Sequence, residues 1–340
     1  MRRLRLLAAP LLAAALALTA TGCSSSGSGS GSGAAGGSMS LTIGYTAIGA
    51  AYSDLYVCED QGVFKKNGLN VKLTLLNSSS QLVAALVSDS VQIGAGATST
   101  TAEGVLKGLD LRYVALPIDR YYLEMWGKPS IGSVDAVKGL KIGLSSPGSL
   151  GDAALTALLK SKGWSSDAVD RIYLKSTPAE VSALENGAVD AIVTQPPTGT
   201  QTRAHGFKKI MDFTSFPAAA NTYTVEAGYL SSNNAAITAF VKSEAQCLAI
   251  LHNDKSEAIA SIMKHSGVSD ESLAEYAYDF FNPLWAKTPT VDPALVQQAF
   301  DAAATSLSMK APASTSQYVD NNFVDSLQSS GFITSLYQKS

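Results

Sequence analysis

Residues 76–100, LNSSSQLVAALVSDSVQIGAGATST, align without a gap with residues 174–198, LKSTPAEVSALENGAVDAIVTQPPT, at a constant shift of 98 positions. Leu76, Ser78, Val83, Ala85, Leu86, Val91 and Thr100 recur as Leu174, Ser176, Val181, Ala183, Leu184, Val189 and Thr198. Both copies read as a strand end, a helix cap, a helix with apolar residues on one face, a polar turn, a second strand and a loop. In the second copy Thr177-Pro178-Ala179-Glu180 has the form of a capping box with proline at the first helical position. Single matches carry little weight in a chain so rich in Ala, Val, Leu and Ser. The ordered succession of elements is what indicates two lobes built on one plan.

The flanking sequence extends the pattern. LTIGYT (41–46), VKLTLL (71–76) and VQIGAGA (91–97) read as short apolar strands. AYSDLYVCEDQGVFKKNG (51–68), stopped by Gly68, and SSQLVAALVSDS (79–90) read as the helices between them. TIGYTAIGAAYSDLY (42–56) corresponds to KIGLSSPGSLGDAAL (141–155), each a strand, a small-residue loop and a helix. Such alternation predicts mainly parallel sheets flanked by helices. Ligands of open α/β sheets bind beyond the carboxyl ends of the strands. Loops 45–53, 94–101, 116–122, 144–152 and 194–199 should therefore line a cleft between the lobes. They are rich in Thr, Ser, Gly and Tyr and poor in charge.

The N-terminal residues MRRLRLLAAPLLAAALALTATG (1–22) have the layout of a secretory signal peptide: arginines, an apolar run, then small residues. Ala20-Thr21-Gly22-Cys23 resembles the lipobox of bacterial lipoproteins, with Ala20 where leucine is usual. That resemblance implies an acylated Cys23 as the mature N-terminus, and two or more acyl chains anchor a protein stably. Residues 23–40 would then be the acylated cysteine and its Ser/Gly tether, a coil spanning about 23 Å. No later run is long enough to cross a bilayer, so the expected membrane attachment is lipid alone. The chain carries 25 basic and 28 acidic residues, and removing Arg2, Arg3 and Arg5 deepens the acidic balance. That argues against a nucleic-acid partner. Cys58 and Cys247 lie in apparently helical stretches. Outside the cytosol they could pair, or they could be two small core residues.

Several motifs occur in order: IGYTAIGAAYSDLYVCEDQGVFKKNGLNVKL (43–73), LVAALVSDSVQIG (82–94), SVDAVKGLKIGL (133–144), ALENGAVDAIV (183–193) and YVDNNFVDSL (318–327). Together they resemble the nitrate/sulfonate/taurine group of ABC-transporter solute-binding proteins, which includes binders of thiamine-pyrimidine precursors. The resemblance covers residues 40–330. It implies an α/β, two-lobed periplasmic-binding-protein fold of the class II type, each lobe a mainly parallel sheet flanked by helices, with two hinge crossings. The crossings are expected near 122–128 and 222–228, giving lobe one as 41–125 and 225–340 and lobe two as 126–224. The implied function is capture of a small organic ligand, anionic and sulfonate-like or aromatic and heterocyclic, by a monomer that delivers it to a permease. No cofactor or metal is implied.

Carried over position by position, the candidate ligand residues are Thr46, Tyr52 and Ser53 after the first strand, and Thr98, Ser99 and Thr100 after the third. TTAE (100–103) is also a capping box, so Thr100 could simply be a cap. Tyr121 lies at the first crossing. Ser146, Gly148 and Ser149 precede a helix whose exposed N–H groups would favour an anion; the alternative is an ordinary small-residue loop. Gln195 and Thr198 lie in the proline-stiffened TQPPTG, and Tyr223 and Glu226 near the second crossing. Asp119 and Arg120 could meet a charged ligand or pair with each other. His205, His252 and His265 fall outside the cleft loops and read as solvated surface residues. No Cys/His metal spacing, G-x-S-x-G elbow or phosphate-gripping lysine loop occurs. An enzyme related to the fungal pyrimidine-precursor synthase of the same fold, or a surface interaction protein without a ligand, are the alternatives to solute binding.

Overall fold

The equivalence of the two aligned segments shows first in how their helices begin and end. Ser78 accepts a hydrogen bond from Gln81 N–H at 3.2 Å, and Ser176, 98 positions on, accepts one from Ala179 N–H at 3.4 Å. Each serine thus satisfies an N–H that the first helical turn leaves free. Asp89 and Gly187, also 98 apart, take the same left-handed turn after the helix, with φ of 56° and 74°. This computed structural model describes residues 38–76 and 78–338. The expected signal peptide (1–22), Cys23 and the tether up to residue 37 lie outside the described residues.

Along the chain the strands are Met39–Tyr45 (β1), Leu69–Leu75 (β2), Ile93–Ala97 (β3), Leu111–Arg120 (β4), Glu124–Gly127 (β5), Lys141–Leu144 (β6), Asp170–Tyr173 (β7), Ala191–Thr194 (β8), Lys208–Asp212 (β9) and Pro217–Glu226 (β10). The helices among them are Ser53–Asp60 (α1), Val63–Lys66 (α2), Ser79–Val87 (α3), Thr98–Leu106 (α4), Leu150–Ser161 (α5), Thr177–Glu185 (α6) and Thr198–Gln201 (α7). After β10 come Ala227–Ser232 (α8), Asn234–Asn253 (α9), Lys255–Ser266 (α10), Glu271–Phe281 (α11), Pro293–Ser306 (α12), Asn322–Ser329 (α13) and Phe332–Leu336 (α14). The helix expected over 51–68 is two helices, because Gly62 turns left-handed at φ 63° between them. Gly68 (φ 79°) ends the second as expected.

Two five-stranded sheets result, ordered β2-β1-β3-β10-β4 and β7-β6-β8-β5-β9. Corresponding neighbours pair alike: β1 runs parallel to β2 and β3, and β6 runs parallel to β7 and β8. Each sheet also has one antiparallel member, β10 in the first and β5 in the second. These are the strands with which the chain enters the second sheet and returns to the first. The crossings occupy residues 121–123 and 213–216 and run side by side, Tyr121 N–H donating to Phe216 O at 3.1 Å and Phe213 N–H to Leu123 O at 2.9 Å. The return therefore precedes the expected 222–228. Pro217 opens β10 opposite Arg120, a strand-initial position that needs no donated hydrogen bond, and the Thr- and Val-rich run behind it is already paired with β3 and β4.

Helices α9 and α13 pack on the first sheet, and α1 and α10 pack on α9. Among the described residues a disulfide joins Cys58 on α1 to Cys247 on α9, so the two cysteines are not separate core residues. No helix among the described residues is long and apolar enough to cross a membrane.

Candidate functional site

The carboxyl ends of β1, β3, β6 and β8 face the same space, and groups from the two sheets meet across it. Ser99, in the first turn of α4, donates its hydroxyl to Gly148 O at 3.0 Å, from the loop after β6. Gln195, just after β8, lays its amide on Gly49, so closely that a Cβ on Gly49 would sit 2.5 Å from Gln195 Nε2. At the hinge, Tyr276 on α11 donates to Glu124 Oε1 on β5 at 2.5 Å. Lys209 Nζ and Trp126 Nε1 complete the environment of that fully buried carboxylate, at 3.0 Å and 2.8 Å. Sequence reasoning missed Glu124 and Tyr276, which lie 152 positions apart and outside the strand-end loops.

On the first sheet's side a polar chain runs Thr46–Tyr52–Asn221. The Thr46 and Tyr52 hydroxyls are 2.8 Å apart, and Asn221 Nδ2 donates to Tyr52 Oη at 3.0 Å. Tyr45 packs on Tyr52 with ring centroids 5.5 Å apart. Tyr52, Asp54, Ile118, Tyr122, Asn221 and Tyr223 line a small cavity at the hinge end. Tyr121, beside it, is half-buried, and burial pushes its hydroxyl up to about 12, so it stays neutral. Asn221 was not among the expected residues. It reaches the site because β10 pairs it with Ala97 at the end of β3.

Tyr223 lines the cavity from below, yet its ring packs on Phe240 and its hydroxyl donates to Asp54 Oδ2 at 2.6 Å. Asp54 is fully buried and set against Glu244 of α9, also fully buried. Burial, and then the neighbouring Asp54, push Glu244 well above the carboxylate range, so Glu244 carries a proton shared with Asp54.

On the second sheet's side, Ser149 caps α5 and accepts from Asp152 N–H at 3.4 Å. Gly148 takes the left-handed conformation, φ 70°, and its N–H donates to Asp152 Oδ2 at 2.9 Å. Asp152 Oδ1 lies 3.2 Å from Arg171 Nη1 and accepts from Tyr173 at 3.3 Å. The Gly148 N–H at this helix start is thus taken by the chain's own carboxylate. Ser146 closes the turn through its carbonyl, and Thr198 opens α7 with its N–H on Gln195 O at 3.0 Å.

Other expected residues serve the frame. Ser53 is buried and donates to Ala50 O, and Thr98 is buried with its hydroxyl 3.1 Å from that of Thr222. Thr100 sits inside α4, which begins at Thr98, so TTAE is not its cap. Likewise Ser176, not Thr177, caps α6, and Glu180 lies one residue too deep for a capping box. Glu226 is corrected outright: β10 places it opposite Leu111, at the far edge of the sheet from the cleft, where it caps α8 through Tyr229 N–H. Asp119 and Arg120 pair with each other at 2.8 Å.

The histidines lie off the cleft, but not all are solvated. His265 stacks on Tyr56 with ring centroids 4.5 Å apart and bonds Asp60, His252 meets Trp285 O, and His205 meets Glu185. Among the described residues no group of three His, Cys, Asp or Glu is placed to hold a metal ion.

The NMT1/THI5-like family matches residues 50–258 of the chain. No curated protein matches the chain by sequence. Solved structures of the same fold include the periplasmic aliphatic sulphonate binding protein SsuA from Escherichia coli, with 19% identity, TM-score 0.70 and coverage of 84% of this chain and 99% of that one. The alkanesulfonate-binding protein SsuA from Xanthomonas axonopodis pv. citri, bound to MOPS, gives 18%, 0.70, 84% and 99%. The periplasmic nitrate-binding protein NrtA from Synechocystis gives 14%, 0.70, 89% and 91%. The fold is therefore the two-lobed fold of periplasmic binding proteins.

Proposed function

Since the chain belongs to the NMT1/THI5-like family, we propose that it is an extracytoplasmic solute-binding protein. On this reading it captures a small organic ligand between its lobes and, as a monomer anchored through lipid at Cys23, delivers it to an ABC importer. Lobe one would comprise the first sheet with its helices, and lobe two the second. Thr46, Tyr52, Ser99, Tyr121, Gln195 and the 146–149 loop are the proposed contacts. The observation that carries the reading is the meeting of Ser99 with Gly148 and of Gly49 with Gln195. It joins the strand-end loops of two sheets that the chain otherwise connects only at the hinge. A guest touching both sides would favour closure by its differential affinity for the closed form.

The polar groups at the cleft are hydroxyls, amides and backbone, with the Asp152 carboxylate held by Gly148 N–H and Arg171. We therefore read the protein as a binder and not an enzyme. The test is mass spectrometry of small molecules released by denaturing the purified protein, combined with thermal-shift screening. A ligand that binds only the native state must raise the Tm. One stoichiometric compound that also raises the Tm is the expected result. No released compound and no shift across a solute library would contradict the reading.

A further inference from the structure

Where α1 packs on α9, Asp54 and Glu244 are excluded from solvent and hydrogen-bond one another. Two buried carboxyls in contact hold a proton between them, because two buried negative charges side by side repel. Backbone N–H groups at the start of α1 and the Tyr223 hydroxyl, 2.6 Å from Asp54 Oδ2, favour charge on Asp54, so the proton rests on Glu244. Asp54 lies four residues before Cys58 and Glu244 three before Cys247, so the pair meets one turn from the disulfide. The disulfide fixes the later part of α1 to α9 and leaves the first turn to the carboxyls. Tyr52 directly precedes that turn. Two rungs seat this end of α1 on β10: Asn221 donates to Tyr52 at 3.0 Å, and Tyr223 donates to Asp54.

The groups in electrostatic reach of the pair are tyrosines: Tyr223 of β10, Tyr52 and Tyr56 at the start of α1, Tyr122 of the first crossing and Tyr337 beyond α14. Burial raises every one of these hydroxyls, so they stay neutral. Cations on the packed elements are engaged elsewhere. Lys264 and His265 of α10 bond Asp60, Lys255 bonds Asp279, and Lys242 of α9 lies over the Phe332 ring. His252 of α9 meets Trp285 O, and Arg112 and Arg120 of β4 pair with Asp110 and Asp119. Lys65 and Lys66 of α2, Lys72 of β2, Glu59 of α1, Glu257 of α10 and Asp325 of α13 are exposed, and Glu226 of β10 caps α8.

Resting on the solute-binding reading, we propose that Asp54 and Glu244 are a proton-holding positioning pair for Tyr52. Their shared proton seats the first turn of α1 on α9 and β10, and release of that proton to solvent frees the turn and takes Tyr52 out of its place in the cleft. The seated turn keeps a proton that the opened turn gives up above about pH 4.5, so seating is full below that value and weakens as pH rises.

The test is amide hydrogen exchange of the full chain, read by mass spectrometry on peptides covering 50–57, in wild type, Glu244→Gln and Asp54→Asn. An amide in place of either carboxyl can still hydrogen-bond its partner but does not titrate, and comparison at matched pH cancels the intrinsic exchange rate. Opening that releases one proton becomes up to about tenfold easier per pH unit. The ratio of wild-type to variant exchange over 50–57 should therefore rise about tenfold or more between pH 6 and pH 8, while α12 shows no change. Calorimetry on the compound released by denaturing the purified protein should show affinity falling over the same interval in wild type and not in the variants. An exchange ratio constant with pH, or affinity that falls equally in all three proteins, overturns the inference and leaves solute binding intact. If neither variant folds, wild-type exchange of 50–57 relative to α12 decides: a rise with pH supports the pair, and a constant value overturns it. Absence of any released compound counts against solute binding, whatever the exchange shows.

Discussion

Tyr276 reaches from α11, which packs on α10 and the turn at 50–52, to donate its hydroxyl to Glu124 Oε1 at the start of β5. This bond joins the first lobe's periphery to the strand with which the chain enters the second sheet. Lys209 and Trp126 satisfy the same carboxylate from within the second sheet, so the cross-lobe bond can break without stranding it.

Tyr276→Phe should therefore weaken ligand binding without unfolding the protein. A hydrogen bond to a charged group is worth about 1.5–3 kcal/mol, so calorimetry on the ligand recovered from the protein should show roughly tenfold or greater loss. Affinity equal to wild type would remove the bond from any role in closure.

Gly49 has an extended backbone, φ 164°, open to any residue, so its smallness matters only for the approach of Gln195. Gly49 is buried against Gln195, so Gly49→Ala should weaken binding by about tenfold or more by holding the two loops apart. Adding Gln195→Gly should relieve the clash, and circular dichroism on ligand-free samples separates closure from folding.

Glu180 is the 98-residue counterpart of Leu82, and both are buried. A carboxyl placed in a core position has its pKa raised by burial to about 8. The sign follows: in the ordinary glutamate range the unfolded chain gives up this proton while the native protein keeps it. Its contribution to stability is thus full below about pH 4.5 and is lost as pH rises toward 8. Glu180→Leu should raise the Tm at pH 8 by several degrees and at pH 4 by much less. Equal gains at both pH values would place the carboxyl outside the core.

The Cys58–Cys247 bond closes a loop spanning 189 positions. Cys58→Ser with Cys247→Ser, or a reductant on the wild type, should lower stability by about 2–5 kcal/mol in denaturant titrations. Unchanged stability would mean that the bond constrains nothing the folded helices do not already hold.

The two-sheet plan was legible because its signals are local: strand, cap, helix and turn recur at fixed spacing, although the cap of α6 is Ser176 and not the expected Thr177. The return crossing was not, because Tyr223 and Glu226 look alike in sequence whether β10 begins at 217 or 222, and only pairing with β4 decides it. Glu180 read as a capping residue since composition cannot show that it fills the place of Leu82. Asn221, Glu124, Tyr276 and the disulfide depend on contacts between segments more than 100 positions apart, for which a single sequence has no spacing rule.

The most direct measurement of the central claim, two lobes closing on a guest that touches both, is small-angle X-ray scattering on the full chain. It would be stripped of small molecules by unfolding and refolding, then restored with the recovered ligand. The account predicts that the radius of gyration falls on restoration and that Gly49→Ala blunts the fall. A radius unchanged by a ligand that demonstrably binds would contradict it.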